Sequence, residues 1–164
     1  NGASLGMVPM PGRCRTDPKG RDWRRNLQDD LLQIEEWGAA HLVSLTETHE
    51  FATLGVPQFA GAVANRRFSW FHFPIADMKA PGKLFFDAWK EHGREVLDTF
   101  DSGGRIVVHC AGGLGRTGTF VARLLVEAGS TPANAIDLVR EARPGTIETV
   151  EQDNFIRSLK PIRF

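Results

Sequence analysis

The sequence predicts an α/β fold of one domain, in which helices cover both faces of a central, mainly parallel sheet. Short runs of branched and aromatic residues alternate along the chain with longer segments in which apolar residues recur every three or four positions. Such alternation favours parallel strands joined by helical crossovers. The 164 residues are 41% hydrophobic and contain no repeat or low-complexity linker, so one core of ordinary size is expected.

The individual elements follow from local patterns. Strands are predicted at residues 5–8, 41–45, 68–73 and 106–108, where branched and aromatic side chains run together. Helices are predicted at residues 23–37, 81–102, 120–128, 131–143 and 149–159, with short helical pieces at 51–54 and 57–64. Trp23 is expected on the apolar face of the first helix, and Val150 on that of the last.

A glycine-rich segment joins the fourth predicted strand to the helix that follows it. The three glycines in this segment allow a tight loop whose backbone N–H groups turn inward. The next helix places its amino terminus, with unpaired N–H groups and the positive end of its dipole, at the same point. The pattern predicts a phosphate-binding loop formed by Ala111, Gly112, Gly113, Leu114, Gly115 and Arg116.

Cys110 stands at the start of this loop and Arg116 at its end, with five residues between them. A free cysteine has a pKa of about 8.5, and a helix amino terminus beside a cation lowers it by a few units. We therefore predict that Cys110 is a thiolate nucleophile and that Arg116 binds two oxygens of a phosphoryl group above it. Thr117 is expected to hydrogen-bond the leaving sulfur, and His109 to orient the loop through backbone carbonyls. The alternative for Cys110 is a small buried side chain at the end of a strand.

The segment from His109 to Thr117 resembles the HC-x5-R-S/T motif of the cysteine-dependent protein phosphatases. Its sequence, HCAGGLGRTG with the following glycine, is most similar to the dual-specificity branch. Residues 5–14 and 24–30 also resemble the amino-terminal part of the kinase-associated phosphatase group. The resemblance implies a protein-tyrosine-phosphatase-like fold with one catalytic domain over residues 1–164. It further implies hydrolysis of phosphotyrosine, and of phosphoserine or phosphothreonine, through a phosphocysteine intermediate.

This reaction needs a general acid that protonates the leaving oxygen and later accepts a proton from water. Asp77 is the one acidic residue in the loop 74–82, which follows an aromatic strand and is bounded by prolines. Spacing alone leaves two interpretations open, because an aspartate in such a loop also forms turns and caps helices. The sequence Pro-Ile-Ala-Asp resembles the acid loop of the kinase-associated phosphatases, and this resemblance implies that Asp77 is the general acid.

A third candidate segment lies downstream, where Gln152 resembles a glutamine with which related phosphatases position the hydrolytic water. Thr149 and Gln152 also have the Thr-x-x-Gln spacing of a helix capping box. The two roles are compatible, and both are kept as hypotheses. Glu148 is a weaker candidate, for which a solvated side chain is expected.

Composition limits the partners and compartments. Twenty basic and twenty acidic residues give a formal net charge of zero, so no global attraction to nucleic acid or to a membrane is expected. No apolar run reaches transmembrane length, and no signal peptide is recognised. Because the sequence starts at Asn1 rather than at a methionine, a further segment before it stays an open expectation. A thiolate nucleophile needs a reduced cysteine, which favours the cytoplasm. Cys14 is either an unpaired packing residue or a partner that traps oxidised Cys110 as a disulfide.

No metal and no other cofactor is predicted, because the five histidines show no ligand spacing such as His-x3-His. Ala111 and Leu114 stand where tensin-type phosphatases, which act on phosphoinositides, have lysines, and this favours a phosphoprotein or phosphopeptide substrate. Lys79 and Lys83 flank the acid loop and are either solvated or in contact with an acidic or second phosphate group. Binding of phosphate or sulfate-like anions in the loop, and a protein kinase as partner, are further expectations.

Two other classes of protein share some of these features. A phosphate-binding or kinase-interacting adaptor would keep the fold without the chemistry, but the joint presence of Cys110, Arg116, Thr117 and Asp77 argues against it. A rhodanese-like sulfurtransferase or an arsenate reductase also uses a loop cysteine. Rhodanese loops usually have fewer residues before the arginine, and low-molecular-weight phosphatase relatives place the acid after the nucleophile, whereas here the acid comes first.

Overall fold

The structure is a computed structural model that describes residues 2–160. Within this range, four parallel strands form one sheet in the order β1-β4-β2-β3. The strands are β1 (Ser4–Val8), β2 (His41–Ser44), β3 (Ser69–His72) and β4 (Arg105–His109). The parallel pairing of all four strands confirms the predicted fold class.

Helices separate the strands along the chain, as the sequence predicts. They are α1 (Leu27–Glu36), α2 (Thr48–Thr53), α3 (Phe59–Val63), α4 (Lys83–Asp101), α5 (Gly115–Glu127), α6 (Pro132–Ala142) and α7 (Val150–Ser158). Side-chain oxygens of Asn26, Thr131 and Thr149 accept backbone hydrogen bonds at the starts of α1, α6 and α7. The predicted capping box of Thr149 and Gln152 is confirmed, because both of its reciprocal bonds are present.

The helices pack on both faces of the sheet because neighbouring residues of a strand point to opposite sides. On one face, Leu42 and Val107 belong to a core that α1 and α3 complete. On the other face, Val43 and Val108 belong to a larger core with residues of α4, α5, α6 and α7. The two central strands are therefore buried on both sides and hold the loops at their ends in place.

Two of the predicted core positions are wrong. Trp23 lies outside α1, which begins at Leu27 because the Asn26 side chain caps it there. The Trp23 indole instead donates from Nε1 to Asp17 Oδ2 at 3.1 Å. Val150 is 77% exposed, because it is the first residue of α7 and projects past the core.

The carboxyl ends of β2, β3 and β4 meet at one edge of the sheet, which is where folds of this type bind ligands. The segment after β4 is the glycine-rich loop, and the segment after β3 contains Asp77. Leu45 N donates to His109 O at 3.0 Å, and Ile75 N donates to Leu45 O at 2.9 Å, so strand-like pairing continues past the named strands. Candidate residues that are distant in sequence are thereby brought together at this edge.

Candidate active site

The glycine-rich loop places a buried thiol beneath a backbone N–H group. Cys110 is 4% exposed, and Gly113 N donates to its Sγ at 3.2 Å. Gly113 has a φ of 71°, in the left-handed region, and a Cβ there would lie 2.4 Å from the carbonyl oxygen of Val8. Both facts require glycine at this position. The loop can therefore turn an N–H group toward the sulfur only because residue 113 has no side chain.

The last loop glycine lies against a carboxylate from the segment before α7. Gly115 N donates to Glu148 Oε2 at 2.9 Å, and a Cβ on Gly115 would lie 2.5 Å from the same oxygen. The Glu148 side chain is exposed, as expected, but its carboxylate is hydrogen-bonded to the loop rather than surrounded by water alone. The Glu148 carboxylate therefore accepts from one of the backbone N–H groups that the start of α5 could otherwise offer to a bound anion.

Arg116 is the largest of the almost completely buried side chains at this edge and is held by carboxylates. Its Nη1 and Nη2 donate to the two oxygens of Glu50 at 2.6 and 2.9 Å, and Nη1 also donates to Ile75 O at 3.0 Å. Burial opposes the charge of Arg116, but the hydrogen bond with Glu50 and the nearby charges of Cys110, Glu50 and Asp77 outweigh it and raise the pKa of the guanidinium. The arginine is therefore a permanent cation in this site.

Glu50 is a residue of the site that the sequence analysis missed. It lies in α2, and its Oε2 also accepts from Glu47 N at 2.7 Å, which closes the capping box of that helix. The one local signal was this Glu-x-x-Glu spacing directly after a buried strand, which predicts a helix start but not a contact with an arginine 66 residues away.

Asp77 reaches the same arginine from the loop after β3. Its Oδ1 lies 3.1 Å from Arg116 Nη2, and its side chain is 68% exposed. The next residue, Met78, has a φ of 61° and donates from its backbone N to Asp77 Oδ1 at 3.0 Å. The structure thus brings the predicted acid and the predicted phosphate-binding arginine into contact, with the carboxylate open to solvent.

His109 is fully buried behind the loop and bonded on both ring nitrogens. Trp70 Nε1 donates to Ser44 Oγ at 2.8 Å, so the Ser44 hydroxyl proton is available to His109 Nε2 at 2.6 Å. On this network Nδ1 carries the imidazole proton, and it lies 3.4 Å from Cys110 O. Burial lowers the pKa of His109 to about 3. The neutral ring therefore contacts a backbone carbonyl next to the thiol, which is the kind of contact predicted for it.

Thr117 belongs to α5 and Gln152 to α7, and both candidates are buried near the loop. Thr117 is completely buried, and its Oγ1 has no hydrogen-bond partner among residues 2–160. Gln152 is also completely buried, and its Oε1 accepts from Glu148 N at 3.0 Å and from Thr149 N at 3.3 Å. Its Nε2 donates to Lys79 O at 3.2 Å, so this side chain joins the acid loop to the start of α7.

The lysines beside the acid loop are paired with carboxylates. Lys79 Nζ lies 3.3 Å from Glu151 Oε2, and Lys83 forms an ion pair with Asp87. Glu151 Oε1 also accepts from Ala80 N at 3.1 Å. These pairs reduce the positive charge that the two lysines offer to a substrate, and their contact with an acidic substrate group stays a prediction.

The remaining hypotheses concern Cys14 and metals. Both cysteines are free thiols, and Cys14 is exposed with its Sγ 3.3 Å from Gly55 O. Its disulfide with Cys110 stays a prediction. In the described part of the chain no group of histidine, cysteine, aspartate and glutamate side chains suits a metal ion. No helix between residues 2 and 160 is both long and apolar enough to cross a membrane.

Comparison with known proteins identifies the family to which this site belongs. The family model Tc-R-P, described as the DSP-PTPase phosphatase of polymorphic toxin systems, matches residues 19–130. This chain belongs to the DSP-PTPase family. It is therefore a cysteine-based phosphatase of the protein-tyrosine and dual-specificity type, as the resemblance implied.

Two curated relatives support this assignment over most of the chain. Cyclin-dependent kinase inhibitor 3 of Homo sapiens is 29% identical over 159 residues, which span 95% of this chain and 71% of the relative. Protein tyrosine phosphatase PRL-1 of Leishmania major is 32% identical over 132 residues, which span 77% of this chain and 71% of the relative. This DSP-PTPase is thus similar to both proteins over more than three quarters of its length.

Solved structures agree with the sequence relatives. A crystal structure of kinase associated phosphatase, in which the catalytic-site cysteine is replaced by serine, matches with a TM-score of 0.79 at 27% identity and covers 93% of this chain and 83% of that one. Tk-PTP in its active form matches with a TM-score of 0.72 at 24% identity, covering 96% of this chain and 92% of that one, and supports the fold.

Proposed function

We propose that this DSP-PTPase hydrolyses phosphotyrosine, and phosphoserine or phosphothreonine, in phosphoproteins through a phosphocysteine intermediate on Cys110. The observation that supports this most directly is the loop itself, where Gly113 N–H points at Cys110 Sγ and Arg116 lies buried beside it. Backbone donors, a helix amino terminus and a guanidinium around one sulfur favour a bound phosphoryl group and a thiolate beneath it.

The hydrogen bonds of Arg116 define how it would hold the phosphoryl group. Nη1 donates to Glu50 and to Ile75 O, and Nη2 donates to the other oxygen of Glu50. A guanidinium has five N–H groups, so the edge formed by Nε and the second Nη2 hydrogen is left for two phosphoryl oxygens. Asp77 lies on the Nη2 side of that edge. Glu50 would then fix the orientation of Arg116 from behind while the substrate binds in front.

In the first step the Cys110 thiolate attacks phosphorus, so that an S–P bond forms as the bond to the leaving oxygen breaks. Asp77, which is exposed beside Arg116, donates its proton to that oxygen and the dephosphorylated side chain departs. Arg116 and the loop N–H groups neutralise the charge on the equatorial oxygens. The products of this step are an alcohol or phenol and the phosphocysteine.

In the second step water attacks the phosphocysteine and restores the enzyme. The Asp77 carboxylate accepts a proton from the water, the S–P bond breaks and inorganic phosphate leaves. The unpartnered hydroxyl of Thr117 would hydrogen-bond the released thiolate. Gln152 would position the water from its place between the acid loop and Glu148. His109 would act as a neutral support for the loop.

The wider assignment follows from the same chemistry. Residues 1–164 would form one catalytic domain, with phosphoproteins or phosphopeptides as substrates and a protein kinase as a candidate partner. The loop would also bind free phosphate or sulfate-like anions. A reduced thiolate favours a cytoplasmic location.

The first experiment measures hydrolysis of para-nitrophenyl phosphate, a phosphotyrosine peptide and a phosphothreonine peptide in a metal-free, reducing buffer. Turnover that disappears in Cys110→Ser, while phosphate still binds to that variant, is the expected result. Substantial turnover by Cys110→Ser would contradict the assignment of the nucleophile. Phosphate binding without turnover by the wild-type protein would instead favour an adaptor.

A further inference from the structure

Two arginines outside the Cys110–Arg116 segment contact the outer side of the phosphate loop. Arg13 Nη1 donates to Ala111 O at 3.0 Å, across 98 residues of sequence. Arg143 Nη2 donates to Gly112 O at 3.5 Å, and its Nη1 donates to Met7 O at 3.1 Å. Consecutive carbonyls of the loop therefore each face a guanidinium that comes from a different part of the chain.

These contacts matter because a trans peptide group points its C=O and its N–H in opposite directions. The Gly112 carbonyl and the Gly113 N–H belong to one peptide group, in which the carbonyl faces Arg143 and the N–H faces Cys110 Sγ. The Ala111 carbonyl and the Gly112 N–H belong to the preceding group, whose carbonyl faces Arg13. A cation that holds a carbonyl outward thus holds the paired N–H toward the site.

Arg13 is itself buried and in contact with an aromatic ring and a carboxylate. Its side chain is 8% exposed, lies over the Trp23 ring with its Cζ 4.2 Å from the ring centroid, and pairs with Asp17 at 3.8 Å. Asp17 accepts from the backbone N–H groups of Lys19 and Arg21 at 2.9 and 3.0 Å and from the Trp23 indole. Burial opposes the charge of Asp17, but these bonds prevail and hold the pKa of its carboxyl well below the usual range. Asp17 therefore stays anionic and attracts the guanidinium of Arg13, which lies between this carboxylate and the loop carbonyl.

We propose that Arg13 and Arg143 are positioning residues, which hold two peptide groups of the phosphate loop so that the N–H groups of Gly112 and Gly113 face the substrate phosphate. This inference rests on the proposed phosphatase function of the same loop. Arg13 also adds positive charge, because a guanidinium stays protonated in proteins. Burial lowers its pKa, and the charges of Asp17, Cys110 and Asp77 oppose that shift. Besides Arg13, the charged groups in contact with the loop or with its arginine include Arg143, Glu50, Asp77 and Glu148, while His109 is neutral.

The test compares Arg13→Met, Arg143→Met and Arg13→Lys with Arg24→Met. Arg24 is the matched control, because its side chain is 85% exposed and pairs only with Asp22 among the salt bridges of the described residues. We expect kcat/KM for para-nitrophenyl phosphate to fall about tenfold in each methionine variant. The assay is run at a temperature at which the circular dichroism spectrum of each variant matches that of the folded wild type. Arg13→Lys should recover part of the loss, and Arg24→Met should behave as wild type.

The second measurement is the dissociation constant of inorganic phosphate, taken by calorimetry with the same changes in a Cys110→Ser background. It should rise about tenfold in step with the loss of kcat/KM, because the bound anion loses aligned donors. Variants that melt earlier but keep both constants at wild-type values would overturn the inference, since the arginines would then only stabilise the fold. An unchanged dissociation constant with reduced turnover would also overturn it. Absence of turnover in the wild type, with phosphate affinity that still depends on the arginines, would refute the phosphatase proposal and retain the loop-positioning role.

Discussion

Replacement of Glu50 by glutamine tests whether a buried carboxylate orients the arginine of the phosphate loop. The two hydrogen bonds between Glu50 and Arg116 are 2.6 and 2.9 Å long, and the two side chains are 11% and 2% exposed. Glutamine keeps the size of the side chain but replaces one acceptor by an NH2 group that faces a donor. One bond is lost and the other no longer has a charged acceptor.

The expected cost follows from these contacts. A hydrogen bond to a charged group contributes about 1.5–3 kcal/mol, so the free energy of unfolding should fall by about 2–4 kcal/mol in Glu50→Gln. The hydrogen bond of Arg116 to Ile75 O and its ion pair with Asp77 remain, which keeps the guanidinium in the site but leaves its edge less well oriented. We expect kcat/KM to fall about 10–100-fold, equivalent to about 1.4–2.7 kcal/mol of transition-state stabilisation.

Both quantities can be measured on the same preparation. Urea unfolding followed by tryptophan fluorescence gives the stability, and hydrolysis of para-nitrophenyl phosphate gives kcat/KM. Glu36→Gln is the control, because Glu36 is exposed at the end of α1. A Glu50→Gln variant that loses stability but keeps kcat/KM within about a factor of two would refute the orienting role. Unchanged stability would refute the energetic argument for the buried pair.

Three further changes are informative. Asp77→Asn should lower kcat for alkyl phosphates by about 10²-fold and less for aryl phosphates with good leaving groups; an equal loss, or the same pattern in Glu148→Gln, would point to another acid. Because folding holds the pKa of His109 at about 3, below the ordinary 6.5, the unfolded chain binds more protons between these values, and stability should decrease as pH falls through this window, by about 2 kcal/mol at pH 5 in urea titrations. His109→Asn should flatten that dependence. Gly113→Ala should abolish turnover and lower the melting temperature more than Gly20→Ala, because both glycines have positive φ (71° and 76°) but only Gly113 lies against backbone atoms.

The features predicted most completely were those that depend on neighbours in sequence. The strand, loop and helix around Cys110 follow from branched residues, glycines and helical periodicity within one short stretch. The capping box of Thr149 and Gln152 spans four residues and forms as its spacing indicates. The exceptions are Trp23, which precedes α1, and Val150, which is the first residue of α7. There a cap or the edge of the core decides whether an apolar residue is covered.

The partners of the loop could not be predicted in the same way. Glu50 and Arg13 look like surface charges in the sequence, since nothing within a few residues of either one marks it for burial. They become part of the site because the order β1-β4-β2-β3 places the segments after β1 and β2 beside the loop after β4. Glu148 likewise meets Gly115 only after α7 has packed against α5.

The choice of Asp77 as the acid rested on a family resemblance, but the sequence by itself determined the parallel α/β fold and the loop that presents Cys110. Each depends on backbone preferences and side-chain spacing over a few residues, which act before any long-range contact forms. Only the tertiary structure decided which charges hold Arg116 and which guanidinium groups face the loop carbonyls. Those choices depend on burial, because a charge removed from water must find an opposite charge or a backbone dipole among whatever segments the sheet order brings beside it.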